Sequence, residues 1–401
     1  MLRNKILEKI SRNKKTIWSG QTPPFQCDCI DIENSSNYRV SAGSHGRYES
    51  VWIYENLLSN ISAWKYYLDE SIRLLEKSGY LVIRTQENEN LNIIKLKRFL
   101  FRNKLISDVE VIHESETKCP GHGRFVKHER ELVLVFHVTR RNTDSYNTRS
   151  WSFAIITQGS KVDNVVKFCS KIREYENNES EIIILGPKND AYSSYNVRYL
   201  SDDFSEEYAE ISKKKNSIVS SATYENILIA HDRYMINDNF FTGFDKYGYD
   251  FDFLTIKQYY SSGNVFPGYL SLDKKMAWSQ IYYLDDERHS NDSTFINGGL
   301  FILKKSLAKE VGFNSIIYWD QGEDVEYAST MLDNGVCPRV NLFSSATTIG
   351  IDEAHTSTFR PLIPRVPSNN IIIDSQNRVL TRTLKRYMPL KVKVFIKGLL
   401  K

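Results

Sequence analysis

Three short runs constrain this chain more than anything else in its 401 residues: Trp151-Ser-Phe-Ala-Ile-Ile-Thr157, Glu181-Ile-Ile-Ile-Leu185 and Asn226-Ile-Leu-Ile-Ala230. Each is apolar at successive positions, so neither face can be left in water. Such runs read as strands of a sheet covered on both sides. Between the first two, Val162, Val165, Val166, Cys169 and Ile172 recur at helical spacing. Val197–Leu200 reads as a further strand and 206–222 as a helix. Strand, helix, strand, strand, helix, strand predicts an α/β unit on a mainly parallel sheet. Ligands of such sheets bind beyond the carboxyl ends of the strands. Gly159, Gly186 and Asp232 all fall there.

A smaller α/β unit precedes this one. Cys27–Ile32 and Glu49–Tyr54 are strand-like. Residues 62–77 read as a helix, with Trp64, Tyr67, Leu68, Leu74 and Leu75 on its apolar positions and Gly79 as its stop. A strand at Tyr80–Arg84, a helix at 91–101, and strands at Val109–His113 and Leu132–Val138 follow. With a junction near 139–144, the expected organisation is 1–142, 150–365 and a tail, 366–401.

Composition narrows the partners. The net charge of +4 is mild and supports no nucleic-acid role. Five irregularly spaced cysteines suggest no disulfide framework. Cys27, Cys29, Cys119 and His122 are zinc-capable types, but the two pairs lie far apart in sequence. No run approaches the ~20 apolar residues of a membrane-spanning helix. The first ten residues are basic and lack an uninterrupted apolar core, so a cytoplasmic location is expected. From Leu380 the tail interleaves Arg382, Lys385, Arg386, Lys391, Lys393, Lys397 and Lys401 with Leu384, Tyr387, Leu390, Val394 and Phe395. That pattern suits contact with the inner face of an anionic membrane, and equally a solvated terminal helix with one face on the protein.

Three places carry candidate chemistry. Asp232 ends a wholly apolar strand; a carboxylate there can serve a hard divalent cation, or simply cap a turn. Asn297-Gly298-Gly299 opens a β run, which suits close backbone approach to a ligand or a plain turn. Gly322-Glu323-Asp324, just after Trp319, opens a helix. First-turn acids are favoured by the helix dipole, yet beside a Gly and a Trp they also suit a general base next to a sugar platform.

From about Ser152 to about Ile351 these pieces together resemble glycosyltransferases of the GT-A fold, a large inverting family that uses nucleotide sugars. The resemblance rests on Thr157 and Gly159, on Lys213-Lys-Lys-Asn216, on His231-Asp232-Arg233, and on Asn297-Gly298-Gly299 followed by Gly322-Glu323-Asp324. It implies a Rossmann-like, mainly parallel sheet. Thr157 and Gly159 would lie against base and ribose, and Lys215 and Asn216 would approach the nucleotide. Asp232 would be the metal-binding acid of an Asp-X-Asp motif. Here the chain departs from the pattern, since His231 and Arg233 flank a single Asp. Arg233 would then bring fixed positive charge to the diphosphate. His355 resembles the later histidine that completes a manganese or magnesium site. Asn297, Gly298 and Gly299 would face the donor sugar and Trp319 the acceptor. Asp324 would be the base, with Glu323 bonding donor or acceptor. A UDP-linked donor is expected, with a saccharide or lipid-linked saccharide acceptor of bacterial surface polysaccharide synthesis. The departure at Asp232 also feeds a second reading, an inactive sugar-nucleotide-binding or scaffold protein.

The N-terminal unit resembles the second half of a class I methyltransferase, through residues 49–58 and 75–84. Nothing before Cys27 reads as the strand and Gly-rich loop that would hold the cofactor. A truncated, non-catalytic domain is therefore expected, with no S-adenosylmethionine.

Overall fold

A computed structural model describes residues 5–13, 15–118, 130–175, 179–201, 203–204, 209–272, 281–318, 321–351, 353 and 360–361. The N-terminal unit contains α1 (Lys5–Ser11), β1 (Thr16–Ser19), β2 (Asp28–Ile30), β3 (Tyr48–Ile53), α2 (Trp64–Leu74), β4 (Leu75–Gln86), α3 (Ile93–Arg102), β5 (Ile106–Lys118) and β6 (Arg130–Arg140). Its sheet runs β2-β1-β3-β4-β6-β5. The first four strands are parallel, and β6 and β5 close the sheet antiparallel.

Two features of this unit differ from the sequence reading. A strand does precede Cys27: β1 is only four residues long, all buried, and lies between β2 and β3. Four residues are too few to display a period. Gly79 is also not a helix stop. Helix α2 ends at Leu74 and β4 runs straight through Gly79. A Cβ at that position would stand 2.8 Å from the Glu49 carbonyl oxygen, so the glycine serves close strand approach.

The larger unit contains β7 (Trp151–Ile156), α4 (Val162–Arg173), β8 (Ser180–Leu185), β9 (Val197–Leu200), α5 (Ile211–Ser221), β10 (Asn226–His231), β11 (Tyr234–Ile236), α6 (Phe240–Tyr247) and β12 (Phe253–Tyr260). It continues with β13 (Val265–Phe266), β14 (Tyr269–Leu272), β15 (Ile281–Tyr283), β16 (Thr294–Ile296), β17 (Leu300–Lys304), α7 (Lys305–Glu310), α8 (Glu323–Asp333), β18 (Arg339–Thr348) and β19 (Arg360–Pro361). Its main sheet runs β11-β18-β12-β17-β10-β7-β8-β9, with β13 on β12. Strands β9, β8, β7 and β10 are parallel, and β17 is antiparallel to both β10 and β12. A small sheet, β16-β14-β15-β19, stands apart from it.

The fold class is therefore mixed α/β with mostly parallel sheets, and the apolar runs are covered on both faces as expected. Trp151 and Phe153 of β7 pack with Phe240 and Phe244 of α6. Ala154 and Ile156 face the opposite cluster, with Ile218, Phe301 and Tyr327.

The two units share a buried interface built on charge. Arg339 of β18 donates to Glu287 at 2.7 Å and to Glu70 of α2. Arg73 of α2 donates to Asp252 at 2.9 Å and to Asp250 at 3.0 Å. Arg39 pairs with Asp250. Leu332 and Cys337 of the larger unit belong to the apolar core of the smaller one.

Candidate active site

The parallel register sets His231 beside Ile156, so the turns that follow β7 and β10 leave the sheet together. The Asp232 N–H donates to the Ile156 carbonyl at 3.2 Å. The Thr157 hydroxyl donates to Asp232 Oδ2 at 2.8 Å and accepts from the Gly159 N–H at 3.0 Å. Gly159 has φ +81°, and a Cβ there would meet the Pro187 ring at 2.5 Å. Only glycine meets both conditions without strain. Asn164 of α4 donates to the Asp232 carbonyl at 3.1 Å. Thr157, Gly159 and Asp232 thus form one cluster.

A second cluster surrounds Asp324. Gly322 adopts φ +72° as the chain turns into α8. Asp324 Oδ2 accepts from the Gly298 N–H at 2.9 Å and Oδ1 from the Val325 N–H at 2.9 Å. Burial pushes its carboxyl up to about 6, with Glu323 adding to the rise and Lys215 opposing it. Lys215 is fully buried, donates to the Gly298 carbonyl at 3.1 Å and to Glu323 at 3.4 Å, and lies 4.0 Å from the Phe301 ring centre. Burial holds its amine below the usual lysine value. A Cβ on Gly298 would stand 2.7 Å from Glu323 Oε1.

The clusters meet through His231, whose N–H donates to the Gly299 carbonyl at 3.0 Å. A cleft of about 270 Å³ runs between them, lined in part by Thr157, Lys161, Lys214, His231, Asp232 and Glu323. Burial, then the charges of Arg233, Lys215, Lys161 and Lys214, drive the His231 imidazole well below its ordinary value. His231 Nε2 and Arg233 Nε are buried and find no hydrogen-bond partner among the described residues.

Asn216 and Asn297 bond groups of the protein itself, and other expected site residues lie outside the described residues. The Asn216 amide bonds Phe313 and Ser315, fastening α5 to the loop before α8. Asn297 Oδ1 accepts from Gly299 N at 3.1 Å within its own turn. Trp319, His355, Cys119, His122 and the tail lie outside the described residues. Two cleft residues escaped the sequence reading. Lys161 follows Gly159 by two positions. Lys214 was hidden in a run of three lysines whose directions only helix phase decides: Lys213 pairs with Glu210, Lys214 lines the cleft and Lys215 is buried.

Whether a divalent cation fits is decided by the donors. Asp232 offers one carboxylate; one oxygen accepts from Thr157 and the other faces Lys161 Nζ at 3.7 Å. Among the described residues no three His, Cys, Asp or Glu side chains converge as a metal site. Among the described residues that donor set does not fit the ion; His355, the other expected ligand, lies outside them.

No family model matches the chain, and no curated protein matches it. Solved structures do. GalNAc-T7, crystallised with UDP, GalNAc and Mn2+, is similar at 12% identity and a TM-score of 0.38, over 52% of this chain and 45% of that one. TarS of S. aureus is similar at 14% identity and a TM-score of 0.34, over 51% of this chain and 41% of that one. TarS 1-349 in complex with UDP-GlcNAc gives 14% and 0.32, over 52% of this chain and 61% of that one. The chain thus spans less than two thirds of each. These neighbours are glycosyltransferases of the GT-A type, and at such scores the likeness assigns no role to this chain.

Proposed function

We propose that this chain is an inverting glycosyltransferase that moves a sugar from a UDP-linked donor to a saccharide or lipid-linked saccharide acceptor. The observation that carries the reading is Asp324, a carboxyl raised to about 6 and held by two backbone N–H groups beside a cation-rich cleft at the carboxyl edge of parallel strands. A base is most effective when it titrates near the working pH. In the proposed step the acceptor oxygen attacks the anomeric carbon and its proton passes to Asp324. The bond from that carbon to the diphosphate breaks, and the nucleoside diphosphate leaves with the electron pair. Glu323, held by Lys215, bonds the sugars, and Gly298 allows close approach of the donor. The divalent cation implied by the resemblance has no support in the donor set, and no step is routed through it.

The test is UDP release by the purified chain over a panel of UDP-sugars, with Asp324→Asn alongside. The proposal fails if that variant, folded and still binding UDP, releases it at the parent rate. The reading as a binding or scaffold protein draws on the single carboxylate at Asp232; UDP-sugar binding with no release from any donor would select it.

The N-terminal unit is proposed to be a non-catalytic, truncated methyltransferase-like domain. The Glu55 carboxylate fills the turn after β1, accepting from Trp18 Nε1 at 2.9 Å and from the Gln21 and Thr22 N–H groups at 2.8 Å each. Binding of S-adenosylmethionine would overturn this. Among the described residues no helix is long and apolar enough to cross a membrane. Peripheral contact through the tail is part of the proposal, tested by washing membranes with and without residues 380–401.

A further inference from the structure

We infer that the cleft takes the diphosphate of its ligand on fixed protein cations and needs no divalent ion, with Lys161 and Lys214 as phosphate-binding side chains and Asp232 as the residue that positions Lys161. This rests on the nucleotide-sugar reading above.

The first support is what surrounds Asp232. Its Oδ2 closes a relay from Gly159 N–H through the Thr157 hydroxyl, which fixes the turn carrying Lys161. Its Oδ1 faces the Lys161 ammonium at 3.7 Å. Both oxygens therefore orient the protein's own groups. The other acid on the cleft wall, Glu323, is bonded by Lys215.

The second support is the charge balance. Lys161, Lys214, Lys215 and Arg233 all act on the one imidazole of His231. A dication placed on Asp232 would face these four cations with Asp232, Glu323 and Asp324 as the nearby carboxylates, and Glu323 is already bonded by Lys215, whereas a diphosphate would be attracted to Lys161 and Lys214. Charge-assisted hydrogen bonds from lysine and arginine to phosphate are among the stronger polar contacts in proteins.

The third support is unused bonding capacity. Buried polar groups are rarely left without partners, yet Arg233 Nε and His231 Nε2 both lack one among the described residues. A ligand rich in acceptor oxygens supplies one for the Arg233 donor, and for His231 when its Nε2 carries the proton.

The experiment is calorimetric titration of UDP into the full chain, in EDTA and in Mn2+, for the parent, Lys161→Ala and Lys214→Met. The Lys161 side chain is 42% exposed at the cleft rim, so its alanine variant keeps the fold even if the buried Lys214 variant does not. The expected result is a Kd that agrees within about threefold between EDTA and Mn2+. Lys161→Ala is expected to weaken UDP about tenfold in both conditions and to flatten the salt dependence. UDP binding that requires Mn2+ overturns the inference and leaves the nucleotide-sugar reading standing. Binding unchanged by Lys161→Ala overturns the phosphate-binding assignment. No UDP binding in either condition overturns both.

Discussion

Asp324→Asn is expected to make this protein more stable at neutral pH and above. The Asp324 carboxyl titrates at about 6 against an ordinary value of 3.8, because burial and Glu323 oppose its charge more than Lys215 and the Gly298 and Val325 N–H groups support it. The folded state therefore holds the proton more tightly than the unfolded chain does. The associated stability is full below pH 3.8 and is lost as pH rises through 6. The difference between those two values corresponds to ~3 kcal/mol. Asparagine has the same shape without the charge. It keeps an oxygen for one backbone donor but turns an NH2 toward the other, at a cost of ~1 kcal/mol. The net expectation is a gain of ~1–2 kcal/mol at pH 8 and none at pH 4. Urea unfolding followed by tryptophan fluorescence, at both pH values, reads the midpoint shift directly. An Asn variant less stable than the parent at pH 8, or equally stabilised at both pH values, refutes the reasoning.

Further outcomes are expected from the same geometry. UDP release should fall away on the acid side near pH 6, with Glu323→Gln moving that limb to lower pH and Lys215→Met to higher pH; a limb that neither variant moves excludes Asp324 as the base. Arg339→Met strands Glu287 as a buried charge, leaves Glu70 to Arg39 and Arg73, and should lower the unfolding free energy by ~3–5 kcal/mol, partly restored by adding Glu287→Gln; a loss below ~1 kcal/mol in thermal unfolding would count against the interface. Gly298→Ala puts a methyl 2.7 Å from Glu323 Oε1 and should cut turnover ~10- to 100-fold with little change in UDP affinity, and turnover at the parent rate would refute the close approach.

The parallel half of the larger sheet was legible because its strands are buried on both faces and so advertise themselves as unbroken apolar runs. The acid pair was legible because Gly322 marks the helix start and Glu323 and Asp324 stand in its first turn. The rest depended on long-range geometry. β1 is too short to show a period, and Gly79 has the same letter whether it ends a helix or lets two strands touch. Asn216 and Lys215 are adjacent in sequence but on a helix they diverge, one to the Phe313 loop and one to Gly298. Lys161 became a cleft residue only when the register of β7 and β10 brought its turn beside Asp232.

The charged seam between the units also sets a timetable for synthesis. Glu70 leaves the ribosome 269 residues ahead of Arg339, the cation that meets it. At ~5–20 residues per second that interval is roughly 13 to 54 s. Through it, the arginines already made beside Glu70 are Arg39 and Arg73, both of which also pair with the late-arriving Asp250. The smaller sheet can form early, but its buried helix cannot reach its final setting until the last strand of the larger sheet arrives. A nascent chain stalled before Arg339 should therefore be held as a chaperone client, and a fragment ending near residue 142 should be recovered poorly.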